Sequence, residues 1–261
     1  MTWIKRIGVF LLLLYLAACV GLFFGQEQLI FHPQKLPASY VFGEGEEAWV
    51  PVSDGVRLNG LWLRSQAPRG VILYWHGNVG SNRRCLHQAE NLFDLGYDIF
   101  MPDYRGYGKS GGEIFSEDQL FADAQKVYTW LLQYYREDQI VVVGYSLGSG
   151  VSTYLASHNH PQRLCLVAPY RSMTAMKDLL VPFVPSFLLK YPLRNEVALP
   201  QANCPVSLFH GTQDELIPYA HSVVLQSKQP TKSRLISLGE TGHRGAIFSQ
   251  ILRRELAAML R

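Results

Sequence analysis

The apolar positions divide the chain into an uncharged N-terminal run and a long alternation of strand and helix patterns. "IGVFLLLLYLAACVGLFF", Ile7 to Phe24, has no polar face, unlike a helix that packs one side on a core. From about Ala48 the period changes. "AWVPVS" and "RLNGLWLR" alternate like a half-buried hairpin with Asp54-Gly55 at its turn. "GVILYWHG" is a buried strand, and "RRCLHQAENLFDLG" has helical spacing with Gly96 at its end. "YDIFMPDYRGYG" predicts a strand and loop. "SEDQLFADAQKVYTWLLQYY" predicts a helix with Ser116 as N-cap and acidic residues in its first turn. The β-branched run Ile140 to Val143 is a strand buried on both faces, and Leu147, Val151, Tyr154 and Leu155 then recur at helical spacing. "RLCLVAP", "CPVSLFHG" and "SRLISLG" are further strands, and "GAIFSQILRRELAAMLR" is a terminal helix. This alternation predicts an α/β fold: a mostly parallel sheet with helices on both faces, led by an antiparallel hairpin.

Composition narrows the function classes. Of 261 residues, 48% are hydrophobic and 17% charged, enough apolar material for a full core. The formal net charge is +3 with no basic block, so no nucleic-acid partner is expected. There is no H-E-x-x-H and no C-x-x-C, so neither a metal nor another cofactor is expected. His158 and His160 fall at the polar end of a predicted helix and are expected at the surface.

The expected organisation is an anchor or signal segment over residues 1–25, a proline-bearing connector over 26–47 and one α/β domain over 48–261. At about 1.5 Å per residue the apolar run spans about 27 Å, enough to cross a bilayer core. A cleaved signal peptide usually has a shorter apolar region, about 7–15 residues. "LAAC", Leu16 to Cys19, resembles a lipoprotein lipobox, although the residues after Cys19 stay apolar. An uncleaved anchor is therefore the first expectation and a lipoprotein lipidated at Cys19 the second. Lys5 and Arg6 precede the run and no basic residue directly follows it. That places the N-terminus in the cytosol and the main domain on the extracytoplasmic side, periplasmic or lumenal. Cys85, Cys165 and Cys204 would then face an oxidising compartment, but are too scattered for a disulfide framework. A chain beginning near Gln34 is expected to be soluble and active.

Candidate chemistry centres on "GYSLGSG". Ser146 lies between Gly144 and Gly148 on a sharp strand-to-helix turn, the geometry that exposes a nucleophilic hydroxyl above a sheet. A serine nucleophile needs a base that is itself oriented by an acid. In an open parallel sheet such groups gather at the carboxyl ends of strands. Asp214 follows the strand "CPVSLFHG", and His243 follows "SRLISLG". The chain order Ser, Asp, His differs from that of either familiar protease fold.

The blocks "HGNVGS", "DYRGYGKSGG", "GYSLGSG", "HGTQDELIP" and "GHRG", in this order, resemble the α/β-hydrolase superfamily over roughly Val50 to Leu260. The nearest likeness is to small N-terminally anchored serine hydrolases grouped with serine aminopeptidase-like domains, which share the H-G-N-x-G block and a connector like "LIFHPQKLP". The resemblance implies an eight-stranded, mostly parallel sheet and a Ser146–His243–Asp214 triad. It also implies an oxyanion hole of the backbone N–H groups of Asn78 and Leu147, with Gly77 allowing close approach. His76 and His210 are expected to orient loops, and Asp103 with Arg105 to form a structural pair.

The main excursion, a cap over about 170–203, is broken by Pro182, Pro185 and Pro192 and is rich in apolar residues. Those residues either pack onto the sheet or line an acyl pocket, for which Phe183, Phe187 and Leu188 are the candidates. The implied activity is hydrolysis of carboxylic ester or thioester bonds in a small-molecule or lipid-like acyl substrate, at a membrane. Aminopeptidase, amidase or acyltransferase chemistry on the same triad is the alternative, and a non-catalytic scaffold is a further one.

Overall fold

The computed structural model describes residues 3–53 and 55–261. The apolar run lies inside one helix, α1 (Trp3–Ile30), which continues past Phe24 into the expected connector. The connector then forms a short strand, β1 (His32–Pro33). The hairpin is β2 (Glu46–Pro51) and β3 (Arg57–Leu63), followed by β4 (Val71–Trp75) and the short β5 (Val79–Gly80). Then come α2 (Asn82–Gln88), β6 (Asp98–Pro102) and α3 (Glu117–Leu131). After them come β7 (Ile140–Tyr145), α4 (Gly148–His158), β8 (Arg163–Val167), α5 (Met173–Leu180) and α6 (Asn195–Ala198). The chain closes with β9 (Val206–His210), α7 (Ala220–Lys228), β10 (Ser233–Ser237) and α8 (Gln250–Met259).

Eight strands form the main sheet in the order β10-β9-β8-β7-β4-β6-β3-β2. All neighbours from β10 to β6 are parallel, and β3 runs antiparallel to both β6 and β2. Strand alternation divides the core into two layers. Ile140 and Val142 of β7 pack with Val127 and Leu131 of α3 and Val151 and Leu155 of α4. Val141 and Val143 face the other way, toward Cys85, Leu92, Leu252 and Leu256. Burial on both faces explains why β7 reads as a continuous apolar run. Ser116 caps α3 as expected, its hydroxyl accepting from Gln119 N–H at 3.1 Å.

Several elements differ from expectation. β3 is buried almost throughout and not half-buried, because it is an interior strand between β6 and β2. Of the hairpin turn, Asp54 lies outside the described residues, while Gly55 has φ +70°. The helix expected to end at Gly96 stops at Gln88 and tightens into a 3-10 turn, Ala89–Leu92. The Asn91 side chain ties that turn to Ile247 O at 2.8 Å. The terminal helix begins only at Gln250, and His243–Phe248 is a 3-10 segment. Asp103 and Arg105 are not partners. Asp103 meets His76, whereas Arg105 binds Asp123 through two hydrogen bonds of 2.6 and 2.9 Å. All four cysteines are buried, and none is in a disulfide.

The connector is sewn into the domain. β1 pairs in parallel with β5. Gln34 N–H donates to Gly80 O at 2.7 Å, and Leu36 N–H to Gly108 O at 2.8 Å. Phe31, Leu36 and Phe42 are buried in the two core layers.

Candidate active site

Ser146 follows β7, the fourth strand of the sheet counted from β10, and has φ +51°. That left-handed conformation is costly for a residue with a Cβ, and the flanking contacts enforce it. A Cβ on Gly148 would lie 2.1 Å from Trp75 O, and one on Gly144 would lie 2.5 Å from Ser152 Oγ. Only glycine allows α4 to start this close to β4. Gly77 is different. A Cβ there would make ordinary contacts of 3.5 Å with Tyr145, so close packing does not require glycine at that position.

Ser146, His243 and Asp214 are brought together from three strand ends. The Ser146 hydroxyl lies 3.0 Å from His243 Nε2, and His243 Nδ1 lies 2.8 Å from Asp214 Oδ2. A carboxylate only accepts, so Nδ1 carries the proton and Nε2 is left to accept from the serine. The imidazole is held from three further directions. His243 N–H donates to Glu215 Oε2, its carbonyl accepts from Tyr145 O–H, and its ring stacks on that of Tyr145 at 5.5 Å. Asp214 Oδ1 accepts the N–H groups of Leu216 and Ile217 at 2.9 and 2.7 Å. His210 Nε2 approaches Asp214 Oδ2 at 3.2 Å and also meets Ile217 O, while its Nδ1 meets Ser222 Oγ. Burial raises the Asp214 pKa, but the hydrogen bonds from His210, His243 and Ile217 outweigh it. The carboxyl is held well below its ordinary range and stays ionised.

The loop from His76 to Gly80 is pinned through its carbonyls. His76 O accepts from Tyr104 O–H at 2.7 Å, and Asn78 O accepts from Tyr107 O–H at 2.7 Å and from His32 N–H at 2.9 Å. The Asn78 amide donates to Ile30 O at 2.9 Å. The ring nitrogens of His76 face Gly77 O and Asp103 Oδ1 at 2.7 and 3.1 Å. Burial opposes charge on His76, but the surrounding acceptors prevail, and its pKa is pushed up to about 10. His76 thus ties the loop to Asp103 and stands apart from Ser146. Among the described residues, the N–H groups of Asn78 and Leu147 donate no hydrogen bond. Both residues line the same cavity as Ser146.

That cavity, about 270 Å³, is mostly apolar. Its walls include Tyr170, Met173, Met176 and Leu188, and also Leu22, Leu29 and Ile30 of α1. Two sequence candidates do not take part. Phe183 and Phe187 are 67% and 85% exposed and point away from the cavity, while Leu188 lines it. The three prolines leave the cap without a long helix, and its short turns aim neighbouring apolar residues in opposite directions. The contribution of α1 was not visible in the sequence. Its only sign is the polar stretch Gln26, Glu27 and Gln28, one residue after the apolar run. Among the described residues, no cluster of three or more His, Cys, Asp or Glu is placed to hold a metal ion.

Comparison with known proteins gives a consistent family. Residues 70–195 match the family model described as alpha/beta hydrolase fold. The Arabidopsis thaliana alpha/beta hydrolase domain-containing protein WAV2 is 30% identical over 238 residues, covering 80% of this chain and 77% of the relative. The Danio rerio lysophosphatidylserine lipase ABHD12 is 29% identical over 177 residues, 59% of this chain and 46% of the relative. Among solved structures, the Pyrococcus furiosus esterase Pf2001 superposes with a TM-score of 0.69 at 19% identity, covering 88% of this chain and 98% of that one. Given the parallel sheet with one reversed strand, the serine elbow after its central strand and a relative matched over most of both chains, this protein belongs to the α/β-hydrolase family.

Proposed function

We propose that this chain is a membrane-anchored serine hydrolase that cleaves carboxylic ester or thioester bonds through Ser146, His243 and Asp214. The observation that carries this reading is the hydrogen-bonded line Asp214–His243–Ser146, with distances of 2.8 and 3.0 Å, beside two unpartnered backbone donors. In this mechanism His243 Nε2 takes the Ser146 proton as Oγ attacks the acyl carbon. The N–H groups of Asn78 and Leu147 stabilise the developing oxyanion. Asp214, ionised, stabilises the imidazolium and keeps Nδ1 protonated. His243 then returns the proton to the leaving oxygen or sulfur, which departs and leaves an acyl-enzyme. Water, deprotonated by the same imidazole, releases the acid.

The apolar lining of the cavity supports an acyl substrate, as do the lipase and esterase names among its relatives. None of the lining residues is acidic, which weighs against an aminopeptidase, whose substrate amine needs an anionic partner. The anchor is α1, 28 residues long with a mean hydropathy of 2.7 over its most apolar window. Lys5 and Arg6 before the apolar run support an extracytoplasmic catalytic domain.

The test is a rate series on acetyl, butyryl, octanoyl and palmitoyl esters beside aminoacyl amides. Each methylene buried contributes about 0.8 kcal/mol. The octanoyl ester should therefore exceed the acetyl ester in kcat/KM by at least about tenfold, with amides slowest. Faster turnover of aminoacyl amides than of every ester would overturn the substrate assignment.

A further inference from the structure

Helix α1 touches the catalytic domain along an unexpected length. Near its C-terminal end, Gln26 donates to Leu188 O at 3.1 Å and accepts from Lys190 N–H at 2.7 Å. Glu27 accepts from Lys190 Nζ and from Tyr191 O–H, both at 3.0 Å. Lys190 also sits 4.7 Å from the centre of the Phe23 ring. This ring of charge and aromatic edges, directly after the apolar run, is the composition expected at a membrane–water boundary.

A second contact lies much deeper. Tyr15 O–H donates to Phe183 O at 2.9 Å. Tyr15 precedes Phe24 by roughly nine residues, or about 14 Å along the helix. A hydrocarbon core is about 30 Å thick. If Ile7 to Phe24 crosses it, the tip of the cap lies inside the near leaflet and not above it.

The cap is built for that position. Residues 179–189 carry no charge, and Phe183 and Phe187 are exposed on the side away from the cavity, while Leu180, also exposed, lines it. Backbone in lipid must find partners within the protein. Val181, Val184, Leu188 and Leu189 donate to carbonyls within the cap. Pro182 and Pro185 have no N–H to satisfy. The carbonyls of Phe183 and Leu188 are taken by Tyr15 and Gln26 of α1, and that of Val184 by Lys177 Nζ. Among the described residues the N–H groups of Phe183, Ser186 and Phe187 donate no hydrogen bond, so the pairing is partial, and it is the exposed apolar side chains that fit lipid better than water.

We propose that α1 is one wall of the acyl site, and that the substrate is a bilayer lipid whose long acyl chain reaches Ser146 sideways, between α1 and the immersed cap. The cavity is lined by Leu22 of the apolar run and Leu180 of the cap and, at its other end, by Asn78, Ser146 and Leu147. An acyl chain therefore meets mostly apolar walls from the leaflet to the nucleophile, with Gln26 and Lys177 the polar groups beside its path. This inference rests on the proposed acyl hydrolysis and makes the anchor a determinant of specificity.

The test uses full-length protein in phosphatidylcholine vesicles, with two readouts. The first is photolabelling by a phosphatidylcholine carrying a diazirine on its acyl chain, which needs no turnover. Labelled peptides should include residues 179–188 of the cap, and label confined to α1 overturns the proposal. The second is the ratio of palmitoyl-ester turnover in the vesicle to turnover of a soluble acetyl ester. Leu22→Trp, which narrows the cavity from the α1 side, should lower that ratio at least tenfold, as should the outward-facing pair Phe183→Asp with Phe187→Asp. An unchanged ratio in well-folded variants, checked by thermal melt, overturns it as well. Failure of the hydrolase assignment looks different: wild type then leaves the acetyl ester intact while lipid labelling of the cap persists.

Discussion

Replacing Ser146 with alanine should lower kcat for a short p-nitrophenyl ester by at least about 10⁴-fold. The proposed mechanism has one attacking atom, Ser146 Oγ, and among the described residues no other hydroxyl is hydrogen-bonded to His243 Nε2. Alanine pays the same backbone cost as serine at φ +51°, and Gly144 and Gly148 keep the turn in place. The fold should therefore survive, with a melting temperature close to wild type. An ester assay beside a thermal melt checks both halves. Well-folded Ser146→Ala with near-normal turnover would remove Ser146 from the chemistry.

The second large effect concerns the connector. A chain beginning near Gln34 should lose about a hundredfold or more in kcat for the same acetyl ester, contrary to the expectation from sequence. That truncation removes the carbonyl of Ile30 and the N–H of His32, the two groups that hold Asn78 from below. It also removes β1 and the buried Ile30 and Phe31, the latter packed edge-on against Tyr191 at 5.0 Å. Losing one well-aimed oxyanion donor costs roughly 10²–10³ in kcat. Each buried side chain lost adds about 1.5–3 kcal/mol of instability. A chain beginning near Gly25 keeps these contacts and should retain acetyl-ester activity. Equal kcat for the two truncations would show that the loop holds its geometry without the connector.

These outcomes also indicate what was legible in the sequence. Ser146, Asp214 and His243 stood out because each follows a strand pattern, and the carboxyl ends of parallel strands share one edge of the sheet. Three residues far apart in the chain were therefore expected to meet, and they lie within hydrogen-bond reach. The central strands were equally readable, since burial on both faces leaves a continuous apolar run. The connector was not, because a two-residue strand such as β1 has no periodicity, and its pairing depends on a loop distant in the chain. Phe183 and Phe187 failed for another reason. A cavity wall, a core contact and a lipid-facing surface all select apolar side chains, and composition cannot separate them. Only the path of the cap along α1 shows that Leu188 turns inward while Phe183 and Phe187 turn outward.

The proposed chemistry stands on His243 activating Ser146 as the nucleophile. Labelling of folded full-length protein with a fluorophosphonate, followed by peptide mass spectrometry, tests it most directly. One modified serine is expected, Ser146, with labelling lost on heat denaturation and strongly slowed in His243→Ala. No label on the folded protein, label on another serine, or an unchanged rate in well-folded His243→Ala would contradict it.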